Sequence, residues 1–335
     1  MDHSTLPRTM TAVLQTGYGD SDVFTTGEIE VPTPGADEVL VAVRAAAVDR
    51  GTWHIMTGLP RPVRLAFGLR RPRRPVPGLD LAGTVVAVGE SVTRFSVGDD
   101  VVGIGKGSFA PYAVALERKL VPLPAGTSYV EGAALPVSGL TAIHAVDKLA
   151  LSPGQRVLVL GASGGVGHYA VQIARAAGAE VTALCSAAKA DVVRELGATH
   201  VLDYATHDLD DAVAAAGGPF DGIIDIAGDR KVRAMRRVLT ARGTLVIVGS
   251  EGGAWTGGMG RSIGASLRNP FTKQQLVMLV ASENHVDLER FTTLVAEGKV
   301  RPHVHQVHPL AEVRTAMDDL VAGRVTGKVV LTTPQ

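Results

Sequence analysis

One stretch constrains this chain more than any other: Val157-Leu-Val-Leu-Gly161-Ala162-Ser163-Gly164-Gly165-Val166-Gly167. Its first four residues read as a short buried strand, and residues from about Val166 to Ala177 read as a helix. Glycines between a strand and a helix let the backbone turn tightly and come close to a ligand. The helix start then offers free N–H groups and a positive dipole end, which suit a pyrophosphate. Such a turn alone also serves plain helix-on-strand packing, so its weight depends on its surroundings. Here they repeat the alternation. Val181–Leu184, His200–Leu202, Gly222–Ile226 and Thr244–Val248 are strand candidates separated by helix-length segments, and Lys273–Ala281 is a sixth. That order predicts an α/β fold with a doubly wound parallel sheet.

The end of the second strand bears on which dinucleotide binds. NAD is selected by an Asp or Glu that holds the ribose hydroxyls. This chain has Leu184-Cys185-Ser186-Ala187-Ala188-Lys189 there, with no acid. A 2′-phosphate is therefore tolerated; Ser186 can donate a hydrogen bond to it and Lys189 can supply charge. NADPH is the expected cofactor, although Lys189 also reads as an ordinary residue at a helix start.

The first 125 residues have a different texture. Thr11–Leu14, Val39–Ala46, Gly83–Val88 and Asp100–Gly103 are short strand candidates punctuated by Pro, Gly and Asp, which predicts an all-β module with tight turns. Leu123-Pro-Ala-Gly126 marks a boundary. Helices at about Leu288–Glu297 and Leu310–Val321 and a strand at Lys328–Leu331 close the chain. At 335 residues, about two domains are expected. The formal net charge of zero gives no general pull toward nucleic acid or anionic membranes. The single cysteine, Cys185, rules out an internal disulfide. With no signal-type start and no long apolar run, a cytoplasmic location without membrane partners is expected.

Several further segments bear a resemblance: Pro77-Gly-Leu79-Asp80-Leu-Ala-Gly83-Thr-Val-Val-Ala-Val-Gly89, Val97-Gly-Asp-Asp-Val-Val-Gly103, Ala133-Ala-Leu-Pro-Val137-Ser-Gly-Leu-Thr141-Ala and Gly327-Lys-Val-Val-Leu331. Together with the glycine turn, and in this order, they resemble the medium-chain dehydrogenase/reductase superfamily in its zinc-independent, quinone-oxidoreductase-like branch. The likeness implies a GroES-like β domain from residues 1–125 and 284–335 and a Rossmann domain at 126–283, with the cofactor in the cleft. It also implies that Thr141, Val248 and Gly249 lie near the nicotinamide, and Tyr204 near the adenosine phosphate. Each has a plainer reading, as a helix-start hydroxyl, strand-end residues and a packed aromatic.

In zinc-dependent relatives three segments supply the catalytic ligands. The corresponding residues here are Asp49, Leu79 and Val137, two of which have no metal-binding atom. A zinc site needs three protein ligands and an open position, so no metal is expected. Without that Lewis acid, hydride addition to a simple ketone makes a localised alkoxide with little to stabilise it. A quinone or an α,β-unsaturated carbonyl spreads the charge into a phenolate or enolate, which a few hydrogen-bond donors can hold. The expected activity is NADPH-dependent reduction of such a small molecule. An NAD(P)-dependent alcohol dehydrogenase-like enzyme with an unusual site and a non-catalytic NADPH-binding protein are the alternatives.

Asp49-Arg50-Gly51-Thr52-Trp53-His54 should line the substrate site. Asp49 stands where many zinc-free relatives have Asn, and Thr52 where an acid is common. Asp49, His54 and Tyr112 are the candidate catalytic residues. Each also has a structural reading: a turn residue, a backbone-satisfied histidine, a packed barrel tyrosine. Thr52 and Trp53 are candidate pocket residues. The run Arg61, Arg64, Arg70, Arg71, Arg73, Arg74, interleaved with prolines, reads as a solvated loop, with anion recognition as the alternative. Gly252–Asn269 reads as a flap or a plain surface loop. An apolar sixth strand at the sheet edge needs covering, which predicts a homodimer.

Overall fold

The computed structural model describes residues 6–249, 264 and 272–333. The chain divides into two compact units: residues 1–137, 283–296 and 304–335 form the first, and 138–282 with 297–303 the second.

The second unit is built on the alternation read above. Strands β8 (Arg156–Leu160), β9 (Glu180–Cys185), β10 (His200–Asp203), β11 (Phe220–Asp225), β12 (Leu239–Ile247) and β13 (Gln275–Met278) pair in the order β10-β9-β8-β11-β12-β13. Every pair is parallel. The order runs outward from β8 in both directions, which is the doubly wound pattern. Helices α5 (Gly167–Ala176), α6 (Ala190–Glu195), α7 (Leu209–Ala215) and α8 (Val232–Arg237) lie in the connections. Inward residues Leu158, Leu160, Ile223, Leu245 and Ile247 share one apolar cluster with Met235 of α8. The sixth strand is shorter than the expected Lys273–Ala281, and Gly252–Asn269 lies outside the described residues apart from Gly264.

The first unit is all-β at its centre. β1 (Thr9–Gln15) and β2 (Phe24–Glu30) form an antiparallel ribbon. β14 (Val304–Pro309), β15 (Lys328–Thr332), β3 (Glu38–Val48), β4 (Asp80–Val88), β5 (Asp100–Ile104) and β7 (Leu120–Pro122) follow one another in a larger sheet, with β6 (Tyr112–Leu116) on β3. The chain end thus joins the β module, because β15 pairs with β3 over Val329↔Val48 to Thr332↔Ala45. Val39, Val41, Val43, Leu81, Val85, Val329 and Leu331 fill its core with Met317 of α9 (Val313–Val321). The helix expected over Leu310–Val321 begins with a tighter turn at Leu310–Glu312.

The first compact unit runs on to residue 137, past the boundary expected at 125/126. Residues 126–137 hold to the β module because α3 (Tyr129–Ala133) docks on it. The Tyr129 hydroxyl donates to Asp100 Oδ1 at 2.6 Å, and Gly132 faces Leu123, Ala82 and Val102. Likewise 297–303 goes with the second unit rather than the first. The Gln172 side chain donates to the Arg301 carbonyl at 3.0 Å and accepts from the Arg301 N–H at 2.9 Å. The arginine run is not wholly loop, since α2 (Val63–Phe67) interrupts it.

Candidate functional site

The carboxyl edge of the parallel sheet gathers nearly all the residues read as cofactor-binding. β8 ends in the glycine turn. Gly161 has φ of +81°, a left-handed conformation that glycine adopts without penalty. Its N–H and that of Ala162 both donate to the Leu184 carbonyl at 3.2 Å, which ties the turn to β9. Gly167 opens α5 where a Cβ would overlap the Gly161 carbonyl and sit 2.8 Å from Ala162 backbone atoms. Side-chain-free packing there brings the helix start against the strand end. Ser163 is buried, while Gly164, Gly165 and Val166 remain partly open. The N–H groups of Gly165 and Val166 donate to nothing among the described residues, and no side chain caps α5. Free donors at a helix start fit an anion such as a dinucleotide pyrophosphate.

Neighbouring strand ends complete that edge. Ser186 precedes a short turn at Ala187–Lys189 after β9. Lys189 is half-buried, and burial pushes its ammonium pKa down. Tyr204 follows β10 with its N–H on the Cys185 carbonyl at 3.1 Å and its side chain 58% exposed. Val248 and Gly249 follow β12, both donating to the Asp225 carbonyl at 2.9 and 3.2 Å. Asp225 itself is fully buried, and its Oδ1 accepts from the Gly228 N–H at 3.1 Å. Thr141 lies elsewhere in the chain's order, half-buried in α4 (Pro136–Asp147). Reading by strand ends missed Asp203. It pairs in register with Cys185, and its Oδ1 accepts from Ala205 N–H at 3.1 Å. The signal was available, since Val201-Leu-Asp203 ends a strand adjacent to β9.

In the first unit Asp49 caps α1 (Arg50–Thr57): its Oδ1 accepts the Thr52 N–H at 2.7 Å. Asp49 is 5% exposed and Thr52 fully buried; Asp49 Oδ2 and the Thr52 hydroxyl find no hydrogen-bond partner. Trp53 is half-buried against the β core, with the Arg50 guanidinium 5.2 Å above its ring and His54 edge-on at 4.8 Å. His54 Nδ1 meets the Leu59 carbonyl at 2.7 Å, the backbone-satisfied placement, so its Nδ1 carries the proton when the ring is neutral. Tyr112 does not join this group by any contact; it packs on the small cluster of Met10, Ala12 and Ala110. Arg64 likewise serves structure, stacking 4.4 Å over Tyr18 and donating to the Gly58 carbonyl at 3.0 Å.

Two residues outside the expected set complete the picture. Asp80, the first residue of β4, is fully buried. Its Oδ1 accepts the Val137 N–H at 2.8 Å and its Oδ2 the Lys328 ammonium at 3.0 Å. Lys328, the first residue of β15, is 1% exposed. Burial drives the Asp80 pKa up to about 7; Lys328 and the Val137 N–H oppose the rise, and repulsion from Asp49 adds to it. An acid and a base each heading an otherwise apolar strand was the sequence signal. Leu79 packs beside Gly51 and Asp49, so the three segments that hold zinc in zinc-dependent relatives meet here. They offer Asp49, Leu79 and Val137, which is no metal-binding set.

The sequence matches the family of alcohol dehydrogenase GroES-like domains over residues 35–125 and that of zinc-binding dehydrogenases over 196–331. It is 34% identical to a chloroplastic quinone-oxidoreductase homolog of Spinacia oleracea, over 96% of this chain and 98% of the relative. The fold is similar to that of the quinone oxidoreductase from Coxiella burnetii, with a TM-score of 0.86 and 25% identity over 97% of this chain and 100% of that one. A mycobacterial structure complexed with NADPH has a TM-score of 0.81 at 26% identity, over 96% of this chain and 99% of its own. With an oxidoreductase fold, an anion-ready glycine turn and no zinc ligand set, the chain belongs to the zinc-independent, quinone-oxidoreductase-like branch of the medium-chain dehydrogenase/reductase family.

Proposed function

We propose that this oxidoreductase uses NADPH to reduce quinones or α,β-unsaturated carbonyls. The observation that carries the reading is the side-chain set at the position of the missing Lewis acid: Asp49, Leu79 and Val137. A site of this composition favours acceptors that delocalise the charge left by hydride addition. The nicotinamide supplies the hydride. The free N–H groups of the glycine turn hold its pyrophosphate, and Ser186 and Lys189 meet the 2′-phosphate, with Tyr204 beside the adenosine. Thr141, Val248 and Gly249 flank the nicotinamide. Trp53, half-buried, is the wall offered to a flat acceptor, and Thr52, fully buried, lies behind that surface. Among the named catalytic candidates Asp49 and His54 are favoured over Tyr112, whose ring is committed to packing. With the Leu59 carbonyl holding the His54 Nδ1–H, Nε2 is an acceptor in the neutral ring and donates only when the ring is protonated. Asp203, in register with Cys185, is the one observation that favours NADH instead. A homodimer through β13 is part of the reading, since Met278 and Val280 are exposed at that edge.

The test is initial-rate oxidation of NADPH and NADH with quinones, enones and simple ketones, with metal content measured on the same sample. Turnover of conjugated acceptors well above simple ketones is expected, with NADPH preferred. Zinc-dependent reduction of NADP by alcohols would refute it. Tight NADPH binding with no turnover on any acceptor would make the chain a binding protein.

A further inference from the structure

The arginine run has no part in the chemistry above. From Arg50 to Leu79 the chain carries seven arginines and no Asp or Glu, an excess that the zero net charge of the whole chain masks. Hydrogen bonds within the first unit brace this stretch. The Arg73 N–H donates to the Phe67 carbonyl at 2.7 Å, the Gly68 N–H to the Arg64 carbonyl at 2.8 Å and the Gln15 N–H to the Pro75 carbonyl at 2.7 Å. The Tyr18 hydroxyl donates to the Gly68 carbonyl, and the Arg64 guanidinium to the Gly58 and Thr57 carbonyls at 3.0 and 3.3 Å. Inside the brace lies α2. Its residues Val63, Leu65, Ala66 and Phe67 are apolar, yet no residue of the helix is buried. A helix of that composition ordinarily turns its apolar side chains to a core. Here Leu65 is 70% exposed, Phe67 42% and, two residues on, Leu69 69%. Arg70, Arg71, Arg73 and Arg74 follow at once, all exposed, and make no ion pair among the described residues. Glu38 feels the charge of Arg74, but its carboxylate is taken by the Lys106 ammonium.

Apolar side chains left in water beside unpaired cations need a cover, and charge selects it. A second copy docking by the same face would set these arginines against their own kind, which like-charge repulsion opposes. Single-stranded nucleic acid stacks on aromatic rings, of which α2 and its flanks offer Phe67 alone, and it has no use for two exposed leucines. An anionic bilayer meets both halves of the surface: acyl chains take the apolar side chains, and phosphate headgroups take the guanidiniums. No helix of the described residues is long and apolar enough to cross a membrane, so the contact is one of lying on the surface. We propose that residues 61–74 are a docking loop that inserts Leu65, Phe67 and Leu69 into the headgroup boundary of a bilayer rich in anionic phospholipid. The bracing hydrogen bonds present the loop ready-made, so docking has little new chain to order. What the docking is for rests on the reductase reading above. The helix α1, which carries Trp53, leads into this loop through residues 58–62. The acceptor that suits such an arrangement is a quinone with a long apolar tail, dissolved in the same bilayer.

The experiment is co-sedimentation of the full chain with vesicles of equal parts phosphatidylcholine and phosphatidylglycerol, against vesicles of phosphatidylcholine alone. Binding to the first and little to the second is expected. Arg70→Gln, Arg71→Gln, Arg73→Gln and Arg74→Gln combined should weaken it at least about a hundredfold. Leu65→Ser with Leu69→Ser should weaken it at least about tenfold with every charge kept. All six positions are exposed, so both variants should melt as the wild type does. Phe67→Trp should add fluorescence that lipids brominated along the acyl chain quench. A wild type that ignores anionic vesicles overturns the proposal. Binding that the leucine pair does not weaken, with no quenching at position 67, is electrostatic adsorption and overturns the insertion. A dimer that the leucine pair dissociates without lipid, or binding of polyglutamate without binding of vesicles, gives the face to another occupant and likewise overturns it. Rates are read on the same samples with a water-soluble quinone and with a long-tailed quinone held in the vesicles. Both variants should keep the first rate and lose most of the second; variants that keep both overturn the delivery of acceptor from lipid. If the wild type reduces neither quinone, the reductase reading fails, while vesicle binding still decides the docking.

Discussion

Replacing Lys328 with Met removes the positive member of a buried pair and keeps an unbranched chain of similar length. In the wild type, burial and Asp49 raise Asp80 from 3.8 to about 7. The folded state therefore binds this proton more tightly than the unfolded chain does. Stability from Asp80 is fully present below its unfolded value and is lost as pH rises through the folded value of about 7. At about 1.4 kcal/mol per pKa unit, the whole loss is about 4 kcal/mol, and the curve is flat above it. Without the ammonium the folded value moves higher still. The loss then continues above neutrality at about 1.4 kcal/mol per pH unit. Lys328→Met should thus cost little on the acid side of neutrality. On the alkaline side its penalty should grow toward the ~3–5 kcal/mol of a broken buried pair. Urea unfolding followed by circular dichroism at a series of pH values measures this directly. A penalty of the same size at every pH would refute the reasoning, because it would mean that Lys328 acts by packing alone.

Gly167→Ala would drive a methyl into the Gly161 carbonyl, so a stability loss of about 1–3 kcal/mol and weaker dinucleotide binding should appear in thermal melts and fluorescence titrations. Ala187→Asp places a carboxylate at the end of β9 and should weaken NADPH about tenfold relative to NADH, near 1.4 kcal/mol; equal loss for both would move the phosphate site elsewhere. If the proposed homodimer forms through β13, Met278→Lys with Val280→Glu at that exposed edge should give a monomer in light scattering, and an unchanged dimer mass would exclude that edge as the interface.

The α/β half of the fold was legible because its signals are local. Each strand is a compact apolar run, and Val157–Gly167 carries its turn chemistry on consecutive residues. Boundaries set by docking were not. Residues 126–137 join the β module through Tyr129 on Asp100 and Val137 on Asp80, contacts between residues 29 and 57 positions apart. The catalytic side shows the same divide. Asp49 and Thr52 could be named from their place after β3, but Asp80 and Lys328 lie 248 positions apart. Only the pairing of β15 with β3, and of β3 with β4, makes them neighbours. His54 and Tyr112 show why residue type alone is weak evidence: a backbone carbonyl claims one ring nitrogen of the histidine, and the tyrosine packs in an apolar cluster.

Asp49 is the residue whose replacement best separates charge from shape. The N-cap of α1 needs only an oxygen that accepts the Thr52 N–H. Asn and Asp cap helices about equally well. Asp49→Asn therefore keeps the start of α1 while removing one of two buried carboxylates. Asp80 then faces Lys328 without its repulsive neighbour, and its pKa should fall from about 7. A lower folded value shortens the pH interval over which stability is lost, so the variant should be more stable than the wild type on the alkaline side. The gain should be on the order of 1 kcal/mol. At acid pH, where Asp80 is protonated in either protein, the two should unfold alike. If Asp49→Asn instead lost stability equally at all pH values, the sealed Oδ2 would be making a contact that an amide nitrogen cannot replace, and electrostatic strain would not be what distinguishes this site.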